Sequence, residues 1–212
     1  MSPPPDFFSE SRPRSQGRVT GVVTGIVTSN TDPDYLGRVK LRLPWRSDDF
    51  ETDWARVVAP MAGKNRGIYF LPDVDDEVLV AFDGDDIRYP YVLGVLWSKT
   101  DPPPDKNEDG KNRLRLIKTP AGHLLKFFDR ENEDIILIQL ADGKKVEIKT
   151  GGIQIDDGSN KITLDAKEGT VTIEAKSSLS LKAPKIAIEA STSLDIKGGQ
   201  SLSAAATMVK IN

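Results

Sequence analysis

The chain has 212 residues, of which 38% are hydrophobic and 29% charged, with a formal net charge of -3 and no cysteine. That length allows one large domain or two small ones, and the mildly acidic balance argues against non-specific nucleic-acid binding, which needs clustered Lys and Arg to neutralise phosphates. Without cysteine there is no disulfide, zinc–thiolate site or thiol catalysis, and no apolar run approaches the roughly 20 residues of a membrane-spanning helix.

The lead, MSPPPDFFSESRPRSQGR, has no charged stretch running into an apolar core, so no secretory signal is expected. Residues 1–17 have the composition of a flexible N-terminal arm. Phe7 and Phe8 interrupt it, either as part of a loose tail or as an anchor on a partner.

Residues 18–97 carry short apolar stretches separated by turn signals. Strands are expected at Val19–Thr28, Arg38–Leu43, Trp54–Ala59, Glu77–Phe82 and Tyr91–Trp97. In the second, Val39, Leu41 and Leu43 alternate with Arg38, Lys40 and Arg42, the pattern of a half-exposed strand. Five short strands in about 80 residues point to a small barrel of the oligonucleotide/oligosaccharide-binding (OB) type. Such barrels often bind nucleic acid or sugar, and a single-strand binder presents aromatic platforms in a basic groove. Residues 1–100 hold 12 Lys and Arg against 15 Asp and Glu, which disfavours that use. Trp45, Trp54 and Trp97 lie among apolar strand residues and are expected in the core or in subunit contacts.

A linker follows at 98–112, with three consecutive prolines at 102–104 that forbid helix and central strand. Residues 113–145 are expected to form a β neck. From Val146 to residue 212 the chain repeats. Apolar residues stand two apart as Val146/Ile148, Ile153/Ile155, Ile162/Leu164, Val171/Ile173, Leu179/Leu181, Ile186/Ile188, Leu194/Ile196, Leu202/Ala204 and Val209/Ile211. Successive pairs start 7 to 9 residues apart, with Gly, Asp, Asn, Ser or Pro between many of them. No aromatic residue follows Phe128, so this region lacks the large rings that fill an ordinary globular core.

Such a ribbon has one apolar side that its own sequence does not cover. Three copies around an axis would bury it and pair one another's strand edges. Each buried aliphatic is worth roughly 1.5–3 kcal/mol, so assembly is favourable only when nearly all positions are buried together. A solenoid coil of about 20 residues does not fit a period near eight. The fold class is therefore all-β, a five-stranded OB-like barrel followed by an intertwined trimeric β-helix. Its trimer core is expected at the pairs from Val146 to Ile196 and at Leu202. The last pair, with Met208, Val209 and Ile211, is expected to leave apolar edges that another protein caps.

The segments SNTDPDYLGRVKLRLPW, DWARVVAPMAGKNRGIYFLPDVDDEVLVAFDGDD and YPYVLGVLW resemble the OB domain of VgrG proteins and of phage baseplate assembly protein V. LIKTPAGHLLKFFD resembles the neck before their spike, and MVKIN the spike's blunt end. The resemblance implies a homotrimeric spike at the centre of a contractile injection machine, assembled in the cytoplasm into a phage tail or injection particle. It implies a hub protein at the N-terminal side, a PAAR-type tip on Met208, Val209 and Ile211, and transient contact with a target membrane. VgrG proteins carry a hub region before the barrel, where about 17 residues stand here, so the hub is expected to be a separate protein. Asp75 occupies a place where a glycine is expected. The alternative is a glycan- or nucleic-acid-binding barrel on a trimeric stalk, as in a receptor-binding fibre.

Catalytic material is sparse. His123, the single histidine, has no nucleophile beside it in sequence and is expected to be structural, although three copies could meet on an axis around a metal or anion. The acidic run Asp73, Asp75, Asp76, Glu77 lacks the ligand spacing and central glycine of an EF-hand loop. Asp83–Asp86 reads as a turn. No catalytic residue, cofactor or metal is expected, and nucleic acid is not expected as a partner.

Overall fold

A computed structural model describes residues 17–47 and 50–210. The chain divides into two compact units, Met1–Lys106 and Asn107–Asn212. Phe7, Phe8 and Ile211 lie outside the described residues.

The first unit contains strands β1 (Val22–Ser29), β2 (Arg38–Arg42) and β3 (Ala55–Val57), a short hairpin of β4 (Ala62–Gly63) and β5 (Arg66–Gly67), then β6 (Glu77–Phe82) and β7 (Pro90–Val95). Five of these close a barrel in the order β1-β2-β3-β7-β6. Every pairing is antiparallel except β3 with β7. Register shifts in β1, between Val27 and Ser29, and in β6, between Leu79 and Val80, add the bends that closure requires.

The expected alternation holds. Val39, Leu41 and Leu43 are fully buried, while Arg38, Lys40 and Arg42 on the opposite face are half-exposed. Val27, Ala55, Val78, Val80, Phe82, Ile87 and Val92 complete the core. None of the three tryptophans is buried there. Trp54 is half-buried under two cations, the Arg38 guanidinium 5.8 Å and the Lys40 ammonium 5.6 Å from its ring centre. Trp45 and Trp97 are exposed. The interior of so narrow a barrel is filled by aliphatic side chains and one ring, Phe82, and the indoles stay out of the buried core.

The second unit is a seven-stranded antiparallel meander of β8 (Leu114–Lys118), β9 (Leu124–Phe128), β10 (Ile135–Gln139), β11 (Lys145–Lys149), β12 (Gly152–Asp156), β13 (Lys161–Asp165) and β14 (Thr170–Glu174). Each strand has five residues and pairs with the next without a register shift. On one face Lys145 stands opposite Asp156, Asp156 opposite Lys161, and Lys161 opposite Glu174, so charge alternates across the strands and supports that register. Beyond Glu174 the described residues form no strand pairing within the chain. No helix among the described residues is long and apolar enough to cross a membrane, which says nothing of strands.

Candidate assembly interface

Because the side-chain period of a strand is two, the register places every second residue of the meander on one face. One row runs Phe127, Ile136, Ile148, Ile153, Leu164, Val171, each directly opposite the next. A second runs Ile117, Leu125, Ile138, Val146, Ile155, Ile162, Ile173. The two rows form one continuous apolar stripe across seven strands. Arg115, held by Asp129 at 2.6 Å, stands at its β8 edge.

The stripe is the more exposed of the two faces. Ile155 is 46% and Val171 69% exposed. On the opposite face Leu137 is only 7% exposed, and the polar residues Lys145, Glu147, Gln154, Asp156 and Thr163 are half-buried. Glu147 lies between Lys145 at 3.6 Å and Lys149 at 2.8 Å, with 12% of its side chain exposed. The Lys149 contact, opposed by burial and aided by Lys145, holds its carboxyl below the usual range. A single chain thus covers its polar face better than its apolar one, the reverse of what water favours.

The structure brings the expected core positions Val146, Ile148, Ile153, Ile155, Ile162, Leu164, Val171 and Ile173 onto this stripe. The later positions, Leu179, Leu181, Ile186, Ile188, Leu194, Ile196 and Leu202, are all exposed and outside the meander, as are Met208 and Val209. Sequence reasoning missed Ile117, Leu125, Phe127, Ile136 and Ile138, which extend the stripe through the neck.

Turns at the strand ends are tied down by polar residues. His123 accepts the Ala141 N–H at Nδ1, 3.1 Å away, and donates its own backbone N–H to Thr119 Oγ1. It therefore joins the β8–β9 and β10–β11 turns. Asp157 accepts from the Asn160 side chain and from the backbone of Asn160 and Ser159, which lowers its pKa to about 2.

The barrel presents a second surface. Asp32, buried in the β1–β2 loop, accepts from Arg38 Nε at 2.9 Å and Nη2 at 2.7 Å, and from the backbone N–H of Asp34, Leu36 and Arg38. The Arg38 contact holds its carboxyl far below the ordinary carboxylate range. The loop so fixed carries Tyr35 at φ +57 and displays Tyr35 and Leu36 to solvent. Tyr69 packs beside Gly37, and Asn30 donates to the Pro72 carbonyl at 3.2 Å, so the 68–72 segment lies against this loop. A cleft of about 620 Å³ opens there, rimmed by Leu36, Met61, Ile68, Tyr69 and Phe70. Among the described residues no three His, Asp or Glu side chains converge as metal ligands.

Residues 23–97 match the type VI secretion system/phage-baseplate injector OB domain, and residues 115–179 match the phage baseplate V C-terminal trimerisation domain. The chain is similar to the type VI secretion system spike proteins VgrG2a and VgrG2b of Pseudomonas aeruginosa. It is 35% identical to each over 104 residues, which is 47% of this chain and 12% and 10% of theirs. It is also similar to VgrG1b of the same organism, 28% identical over 127 residues, or 55% of this chain and 17% of that protein. The chain thus spans less than a fifth of the length of these curated relatives.

Proposed function

The chain belongs to the VgrG and phage baseplate V family, and from that premise we propose that it is the trimeric central spike of a contractile injection system or phage tail, a structural rather than an enzymatic part. The observation that carries this is the apolar stripe from Ile117 to Ile173, exposed in one chain while the polar face is covered. Three copies facing an axis remove that stripe from water. The match of 115–179 to a trimerisation domain supports the same number of chains.

The remaining roles follow the same logic. A hub protein docks on the barrel, where the Asp32-fixed loop and the 68–72 segment offer exposed aromatic side chains of the kind that anchor interfaces. A PAAR-type tip sits on Met208, Val209 and Ile211, the first two of which are exposed. The spike is assembled in the cytoplasm into the particle and meets the target membrane only when force is applied. Rigidity comes from strand hydrogen bonds and turns without long loops, and no catalytic step is required.

Sedimentation of the full chain tests the assembly. The expected species has three times the 23.3 kDa of one chain. A folded single copy would end the proposal. In a capture experiment, replacing Met208, Val209 and Ile211 by serine should abolish retention of a PAAR-type tip while leaving the trimer intact.

A further inference from the structure

We infer that the N-terminal arm, residues 1–16, is a ligand of its own barrel: Phe7 and Phe8 seat in the cleft between the β4–β5 hairpin and the Asp32-fixed loop, with Asp6 and Glu10 toward Lys64 and Arg66. The contact stands without a hub; its consequence, that a hub must displace the arm to reach the same loops, rests on the docking reading above.

The cleft is shaped to take apolar groups. Leu36, Met61, Ile68, Tyr69 and Phe70 rim it, and all five are exposed. Two glycines hold the hairpin in one shape. A Cβ at Gly67 would lie 2.7 Å from the Met61 carbonyl oxygen, and one at Gly63 would lie 2.7 Å from Arg66 Nε. Their absence lets the two short strands close and the Arg66 guanidinium lie across them. Asn65, at φ +55, helps to make the reversal. Arg66 is the one charged residue lining the cleft, and Lys64 stands next to it in the hairpin turn. Among the described residues neither forms an ion pair. Aromatic and aliphatic side chains around such cations suit an apolar segment that carries carboxylates.

The arm supplies that segment at the required reach. Asp6 and Glu10 bracket Phe7 and Phe8. Pro3, Pro4 and Pro5 precede them, and prolines favour the extended backbone that docks in aromatic-lined grooves at low entropic cost. Gly17 accepts the Ile87 N–H at 3.1 Å, at the end of the barrel where β1 starts. The cleft lies at the other end, where β1 and β3 finish and β2 starts. With eight residues in β1, the two ends are about 26 Å apart. The nine steps from Gly17 back to Phe8 span at most about 30 Å. Ser9–Gln16 hold no large apolar side chain, so the first one available for burial comes at the distance of the cleft. Residues 48–49 and 211–212, the others outside the described ones, are too short to fill it.

The natural chain has no cysteine, so engineered pairs report the contact directly. Two full-length variants are oxidised and run on a denaturing gel without reductant. Ser9→Cys with Ala62→Cys joins the arm to the cleft wall and keeps both phenylalanines and Arg66. Ser9→Cys with Tyr89→Cys offers the arm a partner at its own exit, near Ile87. The first should close within one chain, which then migrates faster, and the second should stay open. In a second readout, chymotrypsin cuts after Phe8. It should act about tenfold more slowly on the natural chain than on Tyr69→Ser with Phe70→Ser, because cleavage follows the undocked fraction. Both replaced rings are exposed, so the barrel keeps its core. Equal closure at 62 and 89, no closure at 62, or equal rates of cleavage overturn the inference. Links between chains at 9 and 62 overturn its assignment to the same barrel. No hub enters either readout, so these failures leave the docking reading standing.

Discussion

Asp32 shows how one side chain shapes a surface some distance from any core. Its two oxygens take up five N–H groups from a loop that also contains Pro33 and the left-handed Tyr35. Removing the carboxylate leaves Arg38 Nε and three backbone donors without their acceptor, with only Asp34 still holding the half-exposed Arg38, which is more damaging than losing the attraction alone. Asp32→Ala should lower the thermal midpoint of the barrel by roughly 10 °C, read by scanning calorimetry. The pH dependence has a fixed sign. A carboxyl whose folded pKa lies below its unfolded value near 3.9 stabilises fully above that value and loses its contribution as pH falls through the folded one. Asp86, held at about 2 by Arg88, acts in the same direction. Barrel stability should therefore be level down to about pH 4 and decline below it, with a shallower decline in Asp32→Ala. Asp75 adds a smaller lesson. Its φ of +75 explains why the family resemblance leads one to expect glycine there, and aspartate is among the few residues that tolerate such a backbone.

At the scale of the element, legibility follows periodicity. Strand β2 was readable because polar and apolar residues alternate without exception, and the repeat after Val146 was readable for the same reason. The neck was not. In β8 to β10 both faces are apolar, with Leu114, Leu116, Leu124, Phe128, Ile135 and Leu137 on the face opposite the stripe, so alternation is erased and the stripe's first residues carry no signal. The β4–β5 hairpin was missed because strands of two residues have no period to detect. The Asp32–Arg38 pair was missed because a loop aspartate looks the same whether it is solvated or buried. Gly152 lies between these cases. A glycine in a Gly-Gly link reads as a turn, but the structure gives a stronger reason. A Cβ at this position would lie 2.0 Å from the Leu164 carbonyl oxygen, at a φ of +146 that side chains resist. Gly152→Ala should therefore break the β11–β12–β13 register and reduce strand content by circular dichroism, whereas Gly143→Ala, with open space around its Cβ, should be the milder change.

The whole molecule is defined by surface it does not cover. One chain leaves most of the stripe, and every large apolar residue from Leu179 to Val209, exposed. These aliphatic residues recur at the period of the repeat. Burial worth roughly 1.5–3 kcal/mol per side chain, multiplied over the stripe and the distal units, favours association only if few positions are defective, because ordering the chain costs a comparable amount. A charge placed on the stripe side is therefore felt three times. In Ile188→Asp, three carboxylates would approach the axis without partners. Each resists transfer from water, and together they repel. The variant should sediment as single chains at neutral pH. Thr172→Asp, on the polar face opposite the stripe, introduces the same charge and should leave trimers intact. Protonation relieves the defect in the first case only. If Ile188→Asp regains trimers as pH falls toward 4, the loss came from charge at a buried position. A heat-stable trimer of that variant at pH 7 would instead place Ile188 on the outside of the spike and require a different packing of the distal units.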